Sequence, residues 1–159
     1  MARAKAHVVP ANVQHVGDMF GRIRKADHDE CYAALGRSAE EGLMQSFAAS
    51  RMAWAAVTAS ETIAVFGCAA ASLLTDTGVP WMVGTDKVSE YRVSFARGGR
   101  RYTKKMKRVF SYLENWVDAR NTLSLRWLQW CGFTIEPAQP YGFEQRPFHR
   151  FYMEESRCA

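Results

Sequence analysis

The sequence has few cysteines, and they lie far apart. Cys31, Cys68, Cys131 and Cys158 include no C-x-x-C pair. Such wide spacing does not suit a zinc site or a disulfide framework, so we expect reduced thiols and no metal site. His28 and Cys31 form a single H-x-x-C pair, which offers too few ligands for a metal ion.

Long apolar segments are also missing. No apolar run approaches the roughly 18 residues of a membrane-spanning helix. The basic N-terminus MARAKAHVVP lacks the apolar region of a signal peptide, and the sequence contains no internal repeat or long linker. With 48% hydrophobic and 23% charged residues, the chain is expected to form one globular domain over residues 1–159.

Acidic residues do not balance the basic ones in the second half. Residues 81–159 carry a net charge of +6, whereas residues 1–80 carry −1, and seven Lys/Arg lie between Arg97 and Arg108. A run of this kind is usually the solvated face of an amphipathic helix. The alternatives are binding of the phosphates of a ligand, nucleic acid or an acidic protein. Because Tyr102 and Phe110 fall on the apolar face, stacking on bases is not indicated and nucleic acid ranks last.

The first fifty residues predict a short strand followed by helices. Residues 7–9 form the strand, which Pro10 ends. Three helix starts are indicated by capping residues. They are Asn12, Asp27 with Glu30, and Ser38 with Glu41.

The middle of the chain predicts three strands and then a basic helix. The apolar runs 53–59, 62–70 and 80–85 are typical of buried strands, the first two joined as a hairpin. From Arg100 the apolar period becomes helical. Its face would contain Tyr102, Met106, Val109, Phe110 and Leu113.

The last third predicts strands over 115–120, 132–137 and 150–154, with a helix between the first two. That helix has the sequence NTLSLRWLQWCGF. Asn121 is its predicted N-cap, and Gly132 is its predicted end. Trp127 and Trp130 share one side of it, which indicates either core packing or a protein contact.

The order of these elements resembles the acyl-CoA N-acyltransferase fold of the GNAT superfamily. In the family pattern N-x-x-A-x-x-L-Y-x-x-x-G-F, Asn121 matches the Asn, and Gly132 and Phe133 match the Gly-Phe. Ser124 stands in the place of the Ala and Trp127 in the place of the Leu. The resemblance implies an α/β (α+β) fold with a mixed, mostly antiparallel sheet of about six to seven strands and about four helices. It also implies that the sheet is splayed at its middle strands and that acetyl-CoA lies in the splay.

A narrower resemblance is carried by GTDKV, the basic helix and NT-x-x-x-R-[WF]-L-x-x-x-G. This combination is similar to the small GNAT-like proteins of tailed bacteriophages, including podovirus internal virion and morphogenesis proteins. The resemblance implies a role in virion assembly or as an internal virion component. Its implied location is the cytoplasm of the infected bacterial host or the virion, with virion or host proteins as partners.

The resemblance also implies where acetyl-CoA would bind. The family pattern [RQ]-x-x-G-x-[GA] begins a helix whose free N–H groups bind the pyrophosphate. Here the segment is FARGGRRY, in which Phe95 and Arg100 depart from the pattern around Gly98, although Gly98 and Gly99 are expected to form an open loop. The implied cofactor-binding residues are Val83, Gly84, Arg97, Gly98, Gly99, Arg100, Arg101, Asn121 and Ser124.

The catalytic residues are less evident. Leu128 occupies the position of the family's proton-donating Tyr, and the loss of acid–base help of this kind costs about 10²–10⁴ in rate. The central strands contain no carboxylate, since Glu61 lies in a turn and Asp86 just past a strand. The candidates to replace the acid are Ser124 and Tyr141, followed by Cys131 and His149, and Asp86 is the candidate for a base that acts through a water molecule.

These observations favour a phage GNAT-fold protein with a degenerate acetyl-CoA site. The alternative is an active acetyl-CoA-dependent N-acetyltransferase that modifies a host protein or a small amine. A basic nucleic-acid-binding module is the third hypothesis.

Overall fold

The computed structural model describes residues 5–154. Within them, five α-helices are found: α1 Val13–Asp18, α2 Lys25–Leu35, α3 Ala39–Ala49, α4 Arg92–Lys107 and α5 Thr122–Cys131. The strands of the same part are β1 His7–Pro10, β2 Ser50–Val57, β3 Thr62–Ala70, β4 Thr77–Gly84, β5 Tyr112–Asp118, β6 Thr134–Ile135, β7 Gln139–Tyr141 and β8 Arg146–Met153. A 3₁₀ helix, Asp86–Tyr91, joins β4 to α4.

The strands form one mixed sheet in the order β1-β2-β3-β4-β5-β8-β6, with β7 paired to β8. All its pairs are antiparallel except β4–β5, which is parallel. That pair is joined only at Thr77–Tyr112 and Gly78–Leu113, near the start of each strand. The strands separate beyond these residues. The predicted mixed, mostly antiparallel α/β fold is therefore confirmed, with one more helix and one more strand than expected.

Helices cover both faces of the sheet because each face carries its own apolar core. Helices α1 and α3 pack on the core that contains Val16, Leu43 and Val65. Helices α4 and α5 pack on the core that contains Met106 and Leu128. The separation of β4 from β5 thus lies between two layers of helices.

Two of the predicted helix starts are confirmed. The Asn12 side chain accepts hydrogen bonds from the N–H groups of Gln14 and His15. The Ser38 hydroxyl accepts one from Glu41 N–H at 3.2 Å. The predicted start at Asp27 is wrong, because α2 begins at Lys25 and Asp27 turns its carboxylate toward the end of β4.

Helix α5 begins and ends as the sequence predicts. Asn121 Oδ1 accepts a hydrogen bond from Ser124 N–H at 3.3 Å. Gly132 ends the helix in the left-handed region, with φ of 101°, which a residue with a side chain rarely adopts. The following strand is much shorter than predicted, since β6 spans only two residues. Between the strands predicted over 132–137 and 150–154 the structure adds β7, and the last strand, β8, begins at Arg146 rather than Arg150.

Helix α4 differs most from its prediction. It begins at Arg92 rather than Arg100 and ends at Lys107. Phe110 is buried beyond the helix, while Val109 is 41% exposed and does not belong to the core. Gly98 and Gly99 therefore lie inside a helix, and the prediction of an open loop at these two residues is wrong.

The two glycines of α4 provide a matched pair of stability tests. A Cβ on Gly99 would lie 2.5 Å from Cys131 Sγ and 2.9 Å from the Trp127 ring, whereas a Cβ on Gly98 would meet only the Tyr102 ring at 3.9 Å. Replacing Gly by Ala inside a helix gains about 1 kcal/mol, and overpacking a core costs about 1–3 kcal/mol. We expect urea unfolding to show Gly98→Ala more stable than the parent and Gly99→Ala less stable. A shift of both variants in the same direction would contradict this account of α4–α5 packing.

Candidate functional site

A cavity of about 280 Å³ occupies the separation between β4 and β5. On the side of α2 it is lined by Trp81, Trp116 and Tyr141. On the side of α4 and α5 it is lined by residues such as Tyr102 and Leu128. The volume lies close to the lower end of the range for small-molecule sites, about 300–1,000 Å³. The cavity therefore has room for a narrow ligand that passes between the two strands.

Strand β4 turns backbone groups toward this cavity. Pro80 O accepts a hydrogen bond from Asn115 Nδ2 of β5 at 2.8 Å. Gly84 N–H donates to Asp27 Oδ2 at 2.7 Å. Successive residues of a strand direct their N–H and C=O groups to alternate sides. Met82 is two residues from both Pro80 and Gly84, so its N–H and C=O groups point to the same side as theirs. An extended ligand with an amide group can pair with that backbone.

A buried ion pair lies beside the cavity, at the end of β4. Arg24 Nη2 donates to Asp27 Oδ1 at 2.7 Å and to Ser124 Oγ at 3.1 Å. Arg24 and Asp27 are 7% and 6% exposed. Because Asp27 also accepts from Gly84 N–H, the pair connects α2 with the end of β4 and the first turn of α5.

Glu30 lines the cavity, and its pKa is raised above the ordinary value for a glutamate. Asn121 Nδ2 donates to its Oε2 at 2.7 Å, and Asp118 N–H donates to its Oε1 at 3.2 Å. Desolvation by burial raises the pKa of Glu30 to about 7, and the nearby charge of Asp27 acts in the same direction. The hydrogen bonds from Asn121 and Asp118 oppose that rise. Glu30 can thus exchange a proton near neutral pH.

Glu30 is a site residue that the sequence does not reveal. The pattern of Asp27 with Glu30 predicts a capping box, but both carboxylates point into the fold instead. One signal is present: Arg24, Asp27 and Glu30 recur at intervals of three, which places three charged groups on one side of a helix.

Two of the three predicted catalytic candidates lie at the cavity. Ser124 and Tyr141 both line it. Tyr141 stacks on Trp116 with ring centroids 4.2 Å apart, and burial raises its pKa. Asp86 does not line the cavity, since it is an exposed residue in the first turn of the 3₁₀ helix. A catalytic role for Asp86 has no support from this placement.

The predicted cofactor-binding residues divide into two groups. Those that line the cavity are Val83, Gly98, Gly99, Asn121 and Ser124. Gly84 lies beside it, with its N–H already bonded to Asp27. The remaining candidates, Arg97, Arg100 and Arg101, are exposed and do not line the cavity. The charge expected around a phosphate-binding loop thus lies on the outer side of α4.

The other residues at predicted acid or base positions are buried or bonded within the fold. Leu128 is buried and lines the cavity, so an apolar group stands at the position of the family's Tyr. Burial raises the pKa of Cys131 to about 11, which keeps its thiol protonated. His149 Nδ1 lies 2.8 Å from Glu136 O. Glu61 pairs with Arg22 at the hairpin.

The basic run forms an exposed surface next to Trp130. None of the seven Lys/Arg of residues 97–108 has an ion pair with an acidic side chain among the described residues. Arg100 donates from Nε to Trp130 O, and its guanidinium lies 4.3 Å from the Trp130 ring centroid. Trp130 is 50% exposed, whereas Trp127 is half-buried and donates from Nε1 to Phe95 O. Whether this surface binds nucleic acid stays a prediction.

The described residues contain neither a cluster of metal ligands nor a membrane-spanning helix. Within residues 5–154, no group of three or more His, Cys, Asp and Glu could hold a metal ion. No helix in that part of the chain is long and apolar enough to cross a membrane. Cys31, Cys68 and Cys131 are free thiols, and Cys158 lies outside the described residues.

Comparisons with known proteins bear on the fold. No protein-family model and no curated protein sequence matches the chain. The structure is similar to ribosomal-protein-S5-alanine acetyltransferase from Vibrio fischeri, at 12% identity over 100% of this chain and 98% of that chain, with a TM-score of 0.71. It is also similar to spermidine N-acetyltransferase from Vibrio cholerae in complex with CoA and spermine, at 9% identity over 96% of each chain, with a TM-score of 0.67.

A third similar structure is a Bacillus subtilis acetyltransferase in complex with CoA. It is 12% identical over 96% of this chain and 99% of that chain, with a TM-score of 0.60. At identities this low, the likenesses establish the fold alone. The chain has the fold of the GNAT acetyltransferases.

Proposed function

We propose that the protein is an acyl-CoA-dependent N-acyltransferase. The observation that carries this proposal is Glu30, a carboxylate with a pKa of about 7 that lines the cavity between β4 and β5. A general base is most effective when its pKa lies close to the working pH. Leu128 alone favours a non-catalytic scaffold, whereas Glu30 supplies proton-transfer chemistry that the central strands lack.

The residues at the cavity fit the acyl-pantetheine arm of acetyl-CoA. Met82 would pair its backbone N–H and C=O with an amide of the arm, as one strand pairs with another. A Cβ on Gly98 would meet nothing closer than 3.9 Å, so the wall of α4 leaves space at this residue. The exposed Arg92 and Arg97 on the first turns of α4 would attract the phosphates by charge.

Glu30 would accept the proton that an acceptor amine must lose before its nitrogen can attack. Its two hydrogen bonds from Asn121 and Asp118 hold the carboxylate in place for this step. Acetyl-CoA, when bound, supplies the acyl group as a thioester, whose C–S bond breaks as the C–N bond forms and whose sulfur leaves with the electron pair. Tyr141 lines the same cavity and keeps its proton because burial raises its pKa, so it is our candidate for protonating the departing sulfur.

The test is acetyl-CoA binding, measured by calorimetry on the purified protein. We expect micromolar binding in the parent protein and much weaker binding in Gly98→Trp, whose indole would enter the cavity. Gly17→Trp is the matched control, because Gly17 is an exposed helical glycine of α1 and a Cβ there meets nothing within 4 Å. Absence of binding at millimolar acetyl-CoA would overturn the proposal.

A second proposal, a role in phage virion assembly or as an internal virion component, comes from the narrower sequence resemblance. The exposed Trp130 and the cations of α4 support a contact with another protein. Mass spectrometry of purified phage particles tests this proposal. A chain found only in the infected-cell lysate, and never in particles or assembly intermediates, would contradict it.

A further inference from the structure

The α2 side of the cavity has an aromatic wall. Trp116 and Tyr141 stack with ring planes 10° apart, and the Tyr141 and Phe148 rings have centroids 5.3 Å apart. Trp81 extends this wall from β4, with its Nε1 donating to Ser50 Oγ at 2.7 Å. Because the polar atom of Trp81 is bonded away from the cavity, the wall offers ring surface to a ligand. Such a wall favours a flat apolar group.

The same side of the cavity reaches the surface through apolar residues. Leu35 lines the cavity and is nevertheless 53% exposed. Beside it, Tyr32 and Phe143 are 51% and 63% exposed, and their ring centroids lie 5.7 Å apart. Large apolar side chains exposed together usually mark a binding surface. We call Tyr32, Leu35 and Phe143 the apolar rim.

One carboxylate beside this wall, Glu30, forms no ion pair within residues 5–154. Asp27 and Glu30 both line the cavity, but Asp27 pairs with Arg24 at 2.7 Å. The donors that bond Glu30 within the described residues, Asn121 Nδ2 and Asp118 N–H, are both neutral. The site therefore has one place for a single positive charge, and no second uncompensated carboxylate among the described residues lines the cavity.

We propose that the acceptor is a primary arylalkyl ammonium, with its nitrogen at Glu30 and its ring against Trp81, Trp116 and Tyr141. This inference names the substrate class of the proposed N-acyltransferase and rests on that function. A polyamine fits poorly, because the described lining of the cavity has no second unpaired carboxylate for its additional charges and because it has no ring. A small arylalkylamine and a peptide that begins with Phe share the required chemistry, and the experiment separates them.

The experiment measures amine binding without acetyl-CoA, by calorimetry and by the fluorescence of the cavity tryptophans. The probes are phenethylamine, 2-phenylethanol, which lacks the charge, and spermidine, which lacks the ring. We expect phenethylamine to bind about tenfold or more tightly than either of the others. Equal or tighter binding of spermidine or 2-phenylethanol would overturn the proposal. A Phe-initiated peptide that binds more tightly than phenethylamine would identify a polypeptide N-terminus as the source of the amine.

Two surface variants locate the binding. Leu35→Ser removes part of the apolar rim from an exposed position and should weaken phenethylamine binding about tenfold. Leu73→Ser is the control, because Leu73 is 95% exposed and does not line the cavity, so it should leave the affinity unchanged. Equal effects of the two variants would overturn the assignment of the site.

The outcomes separate this inference from the proposed function. Acetyl-CoA binding without phenethylamine binding would overturn the acceptor class and leave the N-acyltransferase proposal standing. Phenethylamine binding without acetyl-CoA binding would support the amine site and overturn the acyl transfer. Binding of neither would overturn both.

Discussion

We expect Glu30→Gln to lower the rate of acetyl transfer by about 10²–10⁴-fold, because the substitution removes the proton acceptor and keeps nearly the same shape. The measurement is release of the CoA thiol from acetyl-CoA with a panel of primary amines. Part of the loss should fall in kcat, because the proton acceptor is removed, and KM for the amine should also rise, because the ammonium loses the carboxylate beside which it is proposed to lie. Asp29→Asn is the control on the same helix, because Asp29 pairs with the exposed Lys25 and does not line the cavity.

The pH dependence of the rate gives a second readout of the same residue. Glu30 accepts a proton only when it is ionised, so kcat/KM should rise with pH through about 7 and level off above it. This ionisation should be missing from the profile of Glu30→Gln. The role of Glu30 is refuted if Glu30→Gln unfolds at the parental temperature, transfers acetyl groups at the parental rate and keeps the parental pH profile.

The elements whose signals are local could be predicted from the sequence. Asn12, Ser38 and Asn121 cap their helices through hydrogen bonds that reach only two or three residues along the chain. Gly132 ends α5 because of its own backbone freedom. The hairpin of β2 and β3 depends on two adjacent apolar runs. In each case the sequence near the element contains the whole physical cause.

The candidate site could be predicted only in part, because its contacts join distant residues. Glu30 receives its hydrogen bonds from Asp118 and Asn121, which lie 88 and 91 residues further along the chain. No local pattern distinguishes such a carboxylate from one that caps a helix. Gly98 and Gly99 show the opposite kind of error, in which a local pattern is misleading. Their pairing suggests a loop, but the need for close approach to Cys131 and Trp127 explains Gly99 inside a helix.

Two acid–base pairs lie near the start of α2, and breaking them should destabilise the protein to very different extents. Arg24–Asp27 is buried, and Lys25–Asp29 has its Lys side chain 85% exposed. Removing one partner of a buried pair costs about 3–5 kcal/mol, because the other charge stays buried and uncompensated. Breaking an exposed pair costs about 0–1 kcal/mol. We therefore expect chemical denaturation to show a large loss for Arg24→Met and almost none for Lys25→Met.

A double variant separates the buried charge from the packing of the Arg24 side chain. Arg24→Met with Asp27→Asn removes both charges, and the introduced amide oxygen can still accept the hydrogen bond from Gly84 N–H. Replacing both partners by neutral groups is far less costly than removing one, so the double variant should regain most of the stability lost in Arg24→Met. If the double variant instead loses as much stability as Arg24→Met and Asp27→Asn lose together, Arg24 acts through packing alone. Because Arg24 also donates to Ser124, the single variant should in addition loosen α5 and weaken acetyl-CoA binding, while Lys25→Met should leave it unchanged.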